Sequence, residues 1–391
     1  MSHRMCSFAV AHTDISAQPF NNAQRTVRIY VPNNLTGTGV RIQLANHYGT
    51  EPVWVGNATV ALCDRRKGEL IAGTIHPLTV HGEGSFAIVP GHEAMSDLVK
   101  LPVAPGDTLA VSLYYPSAAK VTSGNFVGVF AQRSVRGDYC ETPLLPKARL
   151  WTDLSRSVLP WDISSAVTTV RQVVVQQADD APRPRVIAAF GDSIMQQGAW
   201  LTPFATRLYK RFPGEVSVCN LGIGGNRLLH NSPAGVKGIY GLEGMTRYKC
   251  DVLGIEGLTH VIFALGTNDI GLPGKDGAPD SDLITLAEYQ DAVTQLVADL
   301  RAHNLKVFGA KLLPREINHV YTPERELLRL NMNDWLDSCG LFDAVIDLGA
   351  PIADDTDGVG MKRGYSLPDR LHPNLAGGKL MADHIDLALF A

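Results

Sequence analysis

Near residue 180 the chain changes rhythm, and that change limits its possible folds more than any other feature. From about Thr26 to Gln177, short runs rich in Val, Ile, Leu, Thr and Tyr alternate with Gly, Pro and Asn. The runs predict strands over Thr26–Val31, Val40–Asn46, Val53–Asp64, Ile71–Val80, Leu98–Val103, Leu109–Tyr115, Phe126–Gln132 and Val167–Gln176. Val27/Ile29/Val31 and Val40/Ile42/Leu44 have the period of two expected of strands buried on one face. Helical periodicity is nearly absent, so residues 1–180 are expected to form an all-β, jelly-roll-like sandwich. Ala178–Arg185 holds two prolines among charged residues and reads as a short stiff linker. Beyond it the rhythm becomes strand, loop, helix. Near-continuous apolar runs at Val186–Phe190, Val216–Leu221, Val261–Leu265, Val307–Leu312 and Ala344–Leu348 suit parallel strands covered on both faces. Helices are expected over Leu201–Phe212, Leu283–His303, Pro323–Ser338 and Leu375–Leu389. Residues 186–391 therefore predict an α/β domain with a doubly wound, flavodoxin-like parallel sheet.

Composition removes several function classes. Lys and Arg number 35 and Asp and Glu 39, a net charge of −4, so phosphate neutralisation gives no case for nucleic-acid binding. No apolar run reaches the ~18 residues of a membrane-spanning helix. Five apolar residues near Arg4 do not make a signal-peptide core, so the expected location is cytoplasmic, or secreted or periplasmic if an export segment precedes this numbering. The cysteines (Cys6, Cys63, Cys140, Cys219, Cys250, Cys339) have no CxxC or zinc-ligand spacing and read as idle thiols. Two sequons, at Asn34 and Asn57, carry little without an export signal.

In open parallel sheets ligands bind outside the carboxyl ends of the strands. The first strand is followed by Gly191-Asp192-Ser193, a sharp turn able to present a hydroxyl, though a serine there also caps helices. The second is followed by Asn220-Leu-Gly222-Ile-Gly224-Gly225-Asn226, whose bare N–H groups suit an anion nest. Its spacing is not the dinucleotide fingerprint, and a plain turn is the alternative. The third is followed by Gly266-Thr267-Asn268-Asp269, where an amide could face a developing oxyanion or simply form a turn. Asp369-Arg-Leu-His372-Pro373 lies before the last helix, since Pro373 stops any helix from running through it. A carboxylate three residues before a histidine can bond its Nδ1–H and leave Nε2 free to take a proton.

These four stretches, in this order, resemble the blocks of the SGNH (GDSL) hydrolases over roughly residues 186–391. The departure of Ile194 from the family's usual leucine touches packing more than chemistry. The resemblance implies an ester hydrolase in which His372, oriented by Asp369, activates Ser193. Its oxyanion hole would be the N–H of Ser193, the N–H of Gly225 and the amide of Asn268. Gly225 is favoured over Gly224 by its place after the Asn-x-Gly-x-Gly run. Asp192, Asp269 and Gly224 would support the loops, and no metal or cofactor is needed. The N-terminal half, with stretches such as Val40–Thr50, resembles the β-domain attached to some bacterial members. That implies a short acyl ester, acetyl on a carbohydrate, with a small-molecule or oligosaccharide partner.

Two alternatives stay open: a lipase or arylesterase-type acylhydrolase, and a glycan-binding protein with a vestigial hydrolase domain. The complete set of catalytic residue types speaks against the second. The acyl length, the alcohol and the oligomeric state are not legible. Loops His230–Met245 and Gly271–Asp282 are expected to border the cleft, and the eight-residue linker would keep the β-domain close to it. Asp354-Asp-Thr-Asp357-Gly358 lacks an EF-hand ligand at Ala353 and reads as an acidic loop. Trp151, Trp161 and Trp200 could stack on sugars but read first as core.

Overall fold

The computed structural model describes residues 3–17, 20–117, 120–126, 131–146, 166–355 and 359–391. Trp151, Trp161 and residues 356–358 of the acidic loop lie outside these. The chain divides into two compact units: Met1–Pro184 with Phe212–Ser217, and Arg185–Arg211 with Val218–Ala391.

The first unit is built from antiparallel strands. One sheet runs Arg4–Ala9, Val170–Gln176, Gly39–Ala45, Glu93–Met95. Another runs Ala131–Arg136, Arg25–Pro32, Thr108–Tyr115, Asn57–Asp64, Glu69–Leu70. Val27, Ile29 and Val31 are fully buried, as the alternation requires, but so are Thr26 and Arg28 on the other face. The segment 137–143 covers that face. Thr26 Oγ1 donates to the Gly137 carbonyl at 2.7 Å, and the Arg28 guanidinium donates to the carbonyls of Tyr139, Cys140, Thr142 and Pro143 at 2.9–3.3 Å. Carbonyl dipoles thus surround a cation that has no carboxylate partner among the described residues.

Several expected strands are shorter or split. Val53–Asp64 breaks at Gly56 into Val53–Val55 and Asn57–Asp64. Val167–Gln176 breaks at Thr169, whose φ of +64° takes it out of extended geometry. Leu98–Val103 makes only isolated bridges, at Val99 and Val103, because Pro102 between them has no N–H for a ladder. Ile71–Val80 forms a strand at His76–Pro77, with an isolated bridge from Val80 to Glu83. The six cysteines are free thiols. Burial pushes the Cys63 thiol up to about 11 and the Cys140 thiol higher still, which leaves both unreactive.

The second unit alternates strand and helix: β1 (Arg185–Gly191), α1 (Ser193–Gln196), α2 (Leu201–Arg211), β2 (Val216–Gly222), α3 (Gly244–Asp251), β3 (His260–Ala264), α4 (Thr267–Gly271), α5 (Leu286–Ala302), β4 (Lys306–Ala310), α6 (Pro323–Ser338), β5 (Ala344–Ile346) and α7 (Leu375–His384). The sheet order is β2-β1-β3-β4-β5, and the registered pairs β1–β3, β3–β4 and β4–β5 are parallel. This is the flavodoxin-like order, whose topological switch point lies between β1 and β3. Val186 through Phe190 are completely buried, which is why the strand reads as an unbroken apolar run. Among the described residues no helix is long and apolar enough to cross a membrane.

Capping sets the helix limits. α5 starts at Leu286 and not Leu283 because Thr285 and Glu288 form a reciprocal capping box. α7 stops at His384. Asp386 then accepts the N–H of Ala388 at 2.8 Å and opens a separate 3₁₀ turn, Leu387–Phe390. α3 starts at the end of the expected loop His230–Met245 and runs on through residues to which the sequence assigned no element, since it has little apolar periodicity.

Candidate active site

Ser193 is the first residue of α1, directly after β1. The turn that places it is built by Asp192, whose carboxylate accepts the Ile194 N–H at 3.0 Å while its carbonyl accepts from Gln196 at 2.9 Å. Gly225 follows β2 with φ +72°, and a Cβ there would lie 2.4 Å from the Tyr240 ring. Only glycine fits both the left-handed backbone and the ring. Among the described residues no protein acceptor takes the N–H of Ser193 or of Gly225. Asn268, in the first turn of α4 after β3, is buried and gives one amide hydrogen to the Asn226 carbonyl at 3.0 Å, leaving its second uncommitted. Because β1 lies between β2 and β3, these three donors stand at the carboxyl ends of neighbouring strands.

The loop before α7 supplies a histidine and a carboxylate bonded to it. His372 Nε2 lies 2.7 Å from Ser193 Oγ, and His372 Nδ1 lies 2.6 Å from Asp369 Oδ2. The carboxylate can only accept, so the Nδ1 position carries the hydrogen and Nε2 faces the serine hydroxyl. Asp369 Oδ1 accepts the backbone N–H groups of Leu371 and His372, both at 3.0 Å. Burial alone would raise this carboxyl; the His372 side chain and the two N–H groups outweigh it and hold Asp369 well below the usual carboxylate range.

Asp192 and Asp269 behave oppositely. Both are buried, and desolvation pushes each up to about 6 despite partial compensation. Asp269 accepts the N–H groups of Leu228 and Leu229 at 2.8 and 3.0 Å, tying the loop after β2 to α4. Gly224 stands against Gln196, whose Oε1 would be 2.8 Å from an added Cβ.

Two further residues, Arg247 outside the motif blocks and Arg370 inside the last of them, hold the site together. Arg247, on α3, donates to the carbonyls of Gly191 (2.8 Å) and Leu221 (3.0 Å), to Asn226 Oδ1 (2.8 Å) and to Asp251 (3.1 Å). Its guanidinium carbon lies 4.1 Å from the Phe190 ring centroid. Its four-residue spacing to Asp251 was the only hint in the sequence. Arg370, between the orienting carboxylate and the histidine, has φ +57°. It is clamped through Glu316 at 2.8 Å, Ser366 Oγ and the Met361 carbonyl. Nothing in the sequence marks that left-handed residue.

Residues 189–380 match the family model described as the GDSL-like lipase/acylhydrolase family. No curated protein matches the chain. Among solved structures, a GDSL-like lipase from Bacteroides thetaiotaomicron is 14% identical, covering 54% of this chain and 92% of its own, with TM-score 0.39. A carbohydrate acetylesterase family member from Sinorhizobium meliloti is 14% identical over 52% of this chain and 97% of its own, TM-score 0.38. The lipase/acylhydrolase from Enterococcus faecalis is 19% identical over 53% and 93%, TM-score 0.38.

Two outcomes follow from this geometry. Arg247→Met strands two carbonyls, an amide oxygen and a buried carboxylate, so denaturant melts should show a loss of about 3–5 kcal/mol; wild-type stability would refute the tie. The second concerns pH. An unfolded aspartate titrates near 3.9, so a folded value of about 6 means that the fold binds the extra proton between those values. Stability from that proton is complete below about pH 4 and is lost as pH rises through 6. Asn caps a helix as well as Asp does. Asp192→Asn should therefore be more stable than wild type at pH 8, by on the order of 2–3 kcal/mol, with the difference gone at pH 4. Equal melting temperatures at pH 8 would contradict the cost assigned to that carboxylate.

Proposed function

We propose that the GDSL-like lipase/acylhydrolase domain at residues 189–380, which makes this protein an ester hydrolase, works through an acyl-enzyme on Ser193. The observation that carries this reading is the continuous chain Ser193 Oγ–His372 Nε2–His372 Nδ1–Asp369 Oδ2, with links of 2.7 and 2.6 Å. His372 Nε2 takes the serine proton as Oγ bonds to the ester carbonyl carbon. The resulting imidazolium is stabilised by Asp369, whose carboxylate is ionised across the working pH range. The oxyanion accepts from the N–H of Ser193, the N–H of Gly225 and the uncommitted amide hydrogen of Asn268. Each such donor is worth roughly 10²–10³ in rate. The carbon–oxygen bond to the alcohol breaks as His372 returns the proton to the leaving oxygen. Water then gives a proton to His372 as its oxygen bonds to the acyl carbon; the bond from that carbon to Ser193 Oγ breaks, His372 returns the proton to Oγ, and the acid is freed.

The substrate we infer is a short acyl ester, acetyl on a carbohydrate alcohol. Its support is the likeness of stretches such as Val40–Thr50 to the β-domains attached to bacterial members of the family.

A fluorophosphonate probe, located by peptide mass, should label Ser193. Ser193→Ala should abolish labelling and lower turnover of 4-nitrophenyl acetate at least ~10³-fold, and His372→Ala should be at least as damaging as Asp369→Asn. Labelling at another residue, or unchanged turnover in Ser193→Ala, would overturn the assignment. Greater activity on long-chain 4-nitrophenyl esters than on acetyl esters and acetylated oligosaccharides would replace the substrate class by a lipase-type one.

A further inference from the structure

Among the described residues six arginines are buried: Arg28, Arg171, Arg227, Arg247, Arg315 and Arg329. Arg28 donates to carbonyls and to Ser112 Oγ, and Arg171, Arg227, Arg247 and Arg329 pair with Glu93, Asp282, Asp251 and Glu326. Arg315 is the exception. It is 8% exposed, yet among the described residues it donates to no acceptor and pairs with no carboxylate. A guanidinium largely removed from water, with no protein partner among the described residues, is unusual and calls for a reason.

Its surroundings supply one. The guanidinium carbon stands 4.5 Å over the Tyr321 ring, and Tyr321 is itself fixed by donating to Glu326 at 2.9 Å. Its Nη1 occupies the space that a side chain at residue 271 would fill, only 1.9 Å from where a Cβ on Gly271 would lie. Gly271 ends α4, the helix that carries Asn268. Arg315 is also near enough to Asp369 to feel its charge. None of its unbonded nitrogens is among the solvent-inaccessible orphan atoms, so the guanidinium edge is the part that water reaches. Lys275 and Arg325 add positive charge to the same neighbourhood. Arg325 is already committed to the carbonyls of Ile270 and Pro273. The result is an Arg fork set over an aromatic face, with open N–H groups packed at the end of α4, three residues on from Asn268. That is the preorganised form in which arginine takes a carboxylate bidentately.

We propose that Arg315 is a specificity residue that binds a carboxylate carried by the ester substrate. The inference rests on the hydrolase reading above. The carboxylate could belong to the acyl group or to the alcohol, and acid and amide pairs that differ only in charge separate the two. For the alcohol side the pair is 3-carboxyphenyl acetate and 3-carbamoylphenyl acetate. For the acyl side it is mono-4-nitrophenyl adipate and the corresponding adipamate. With the unmodified protein, one of the two acids should exceed its amide in kcat/KM by about 10- to 100-fold, mainly through KM, as expected for charged hydrogen bonds. Arg315→Met should reduce that ratio to about twofold or less, and Arg315→Lys, which keeps the charge without the fork, should retain part of it. Equal turnover of acid and amide on both sides, with the neutral esters hydrolysed, would overturn this inference alone. No turnover of any of the four would remove the hydrolase reading and this inference with it. The comparison in the unmodified protein decides the matter even if Arg315→Met fails to fold.

Discussion

The second unit depends on one buried cation. Parallel strands end with carbonyls that no neighbouring strand satisfies, and the loops that carry chemistry leave from those ends. Arg247 answers both needs. Its fork takes the carbonyls that close β1 and β2 and the side-chain oxygen of Asn226, while Asp251 balances its charge and Phe190 covers its face. The serine turn, the glycine loop and, through the Asn226 carbonyl, Asn268 are therefore referred to one point. Burying a guanidinium is worthwhile only where nearly every donor is used, and here each links a segment that must not drift.

Electrostatics divides three aspartates of similar sequence context into two kinds. Asp192 and Asp269 hold turns by accepting backbone N–H groups, but burial costs them more than those bonds return. Asp369 is nearer to solvent and gains the imidazole as well as two N–H groups, so it stays ionised. Environment, not residue type, thus separates framing carboxylates from the one bonded to an imidazole.

Much of this was legible beforehand. The parallel strands announced themselves as apolar runs because both faces are covered, and α6 was marked by Pro323 in its first turn. The four motif blocks could be read because each follows a strand or precedes a helix, so local pattern fixes their place. Legibility failed where side chains act over long distances. Thr26 and Arg28 looked solvent-facing because the segment that covers them lies more than a hundred residues away. Arg247 sits on a helix with no apolar stripe, and Arg315 and Arg370 lie in irregular chain. Split strands at Gly56 and Thr169 turned on backbone angles that composition does not encode.

The spacing of Asp369 and His372 has a mechanical meaning. Both sit on one short loop, and the N–H groups of that loop bind the same carboxylate that holds the imidazole. They form a single rigid piece, fastened on one flank by Arg370 and on the other by the Asn374 cap of α7. Ser193 belongs to a separate piece on β1 and α1. The Ser193–His372–Asp369 chain therefore has one joint, the 2.7 Å contact between Ser193 and His372. Small displacements of the loop would open that joint while leaving the acid–imidazole pair assembled, so the arrangement has a single degree of freedom along which it can be lost or regained.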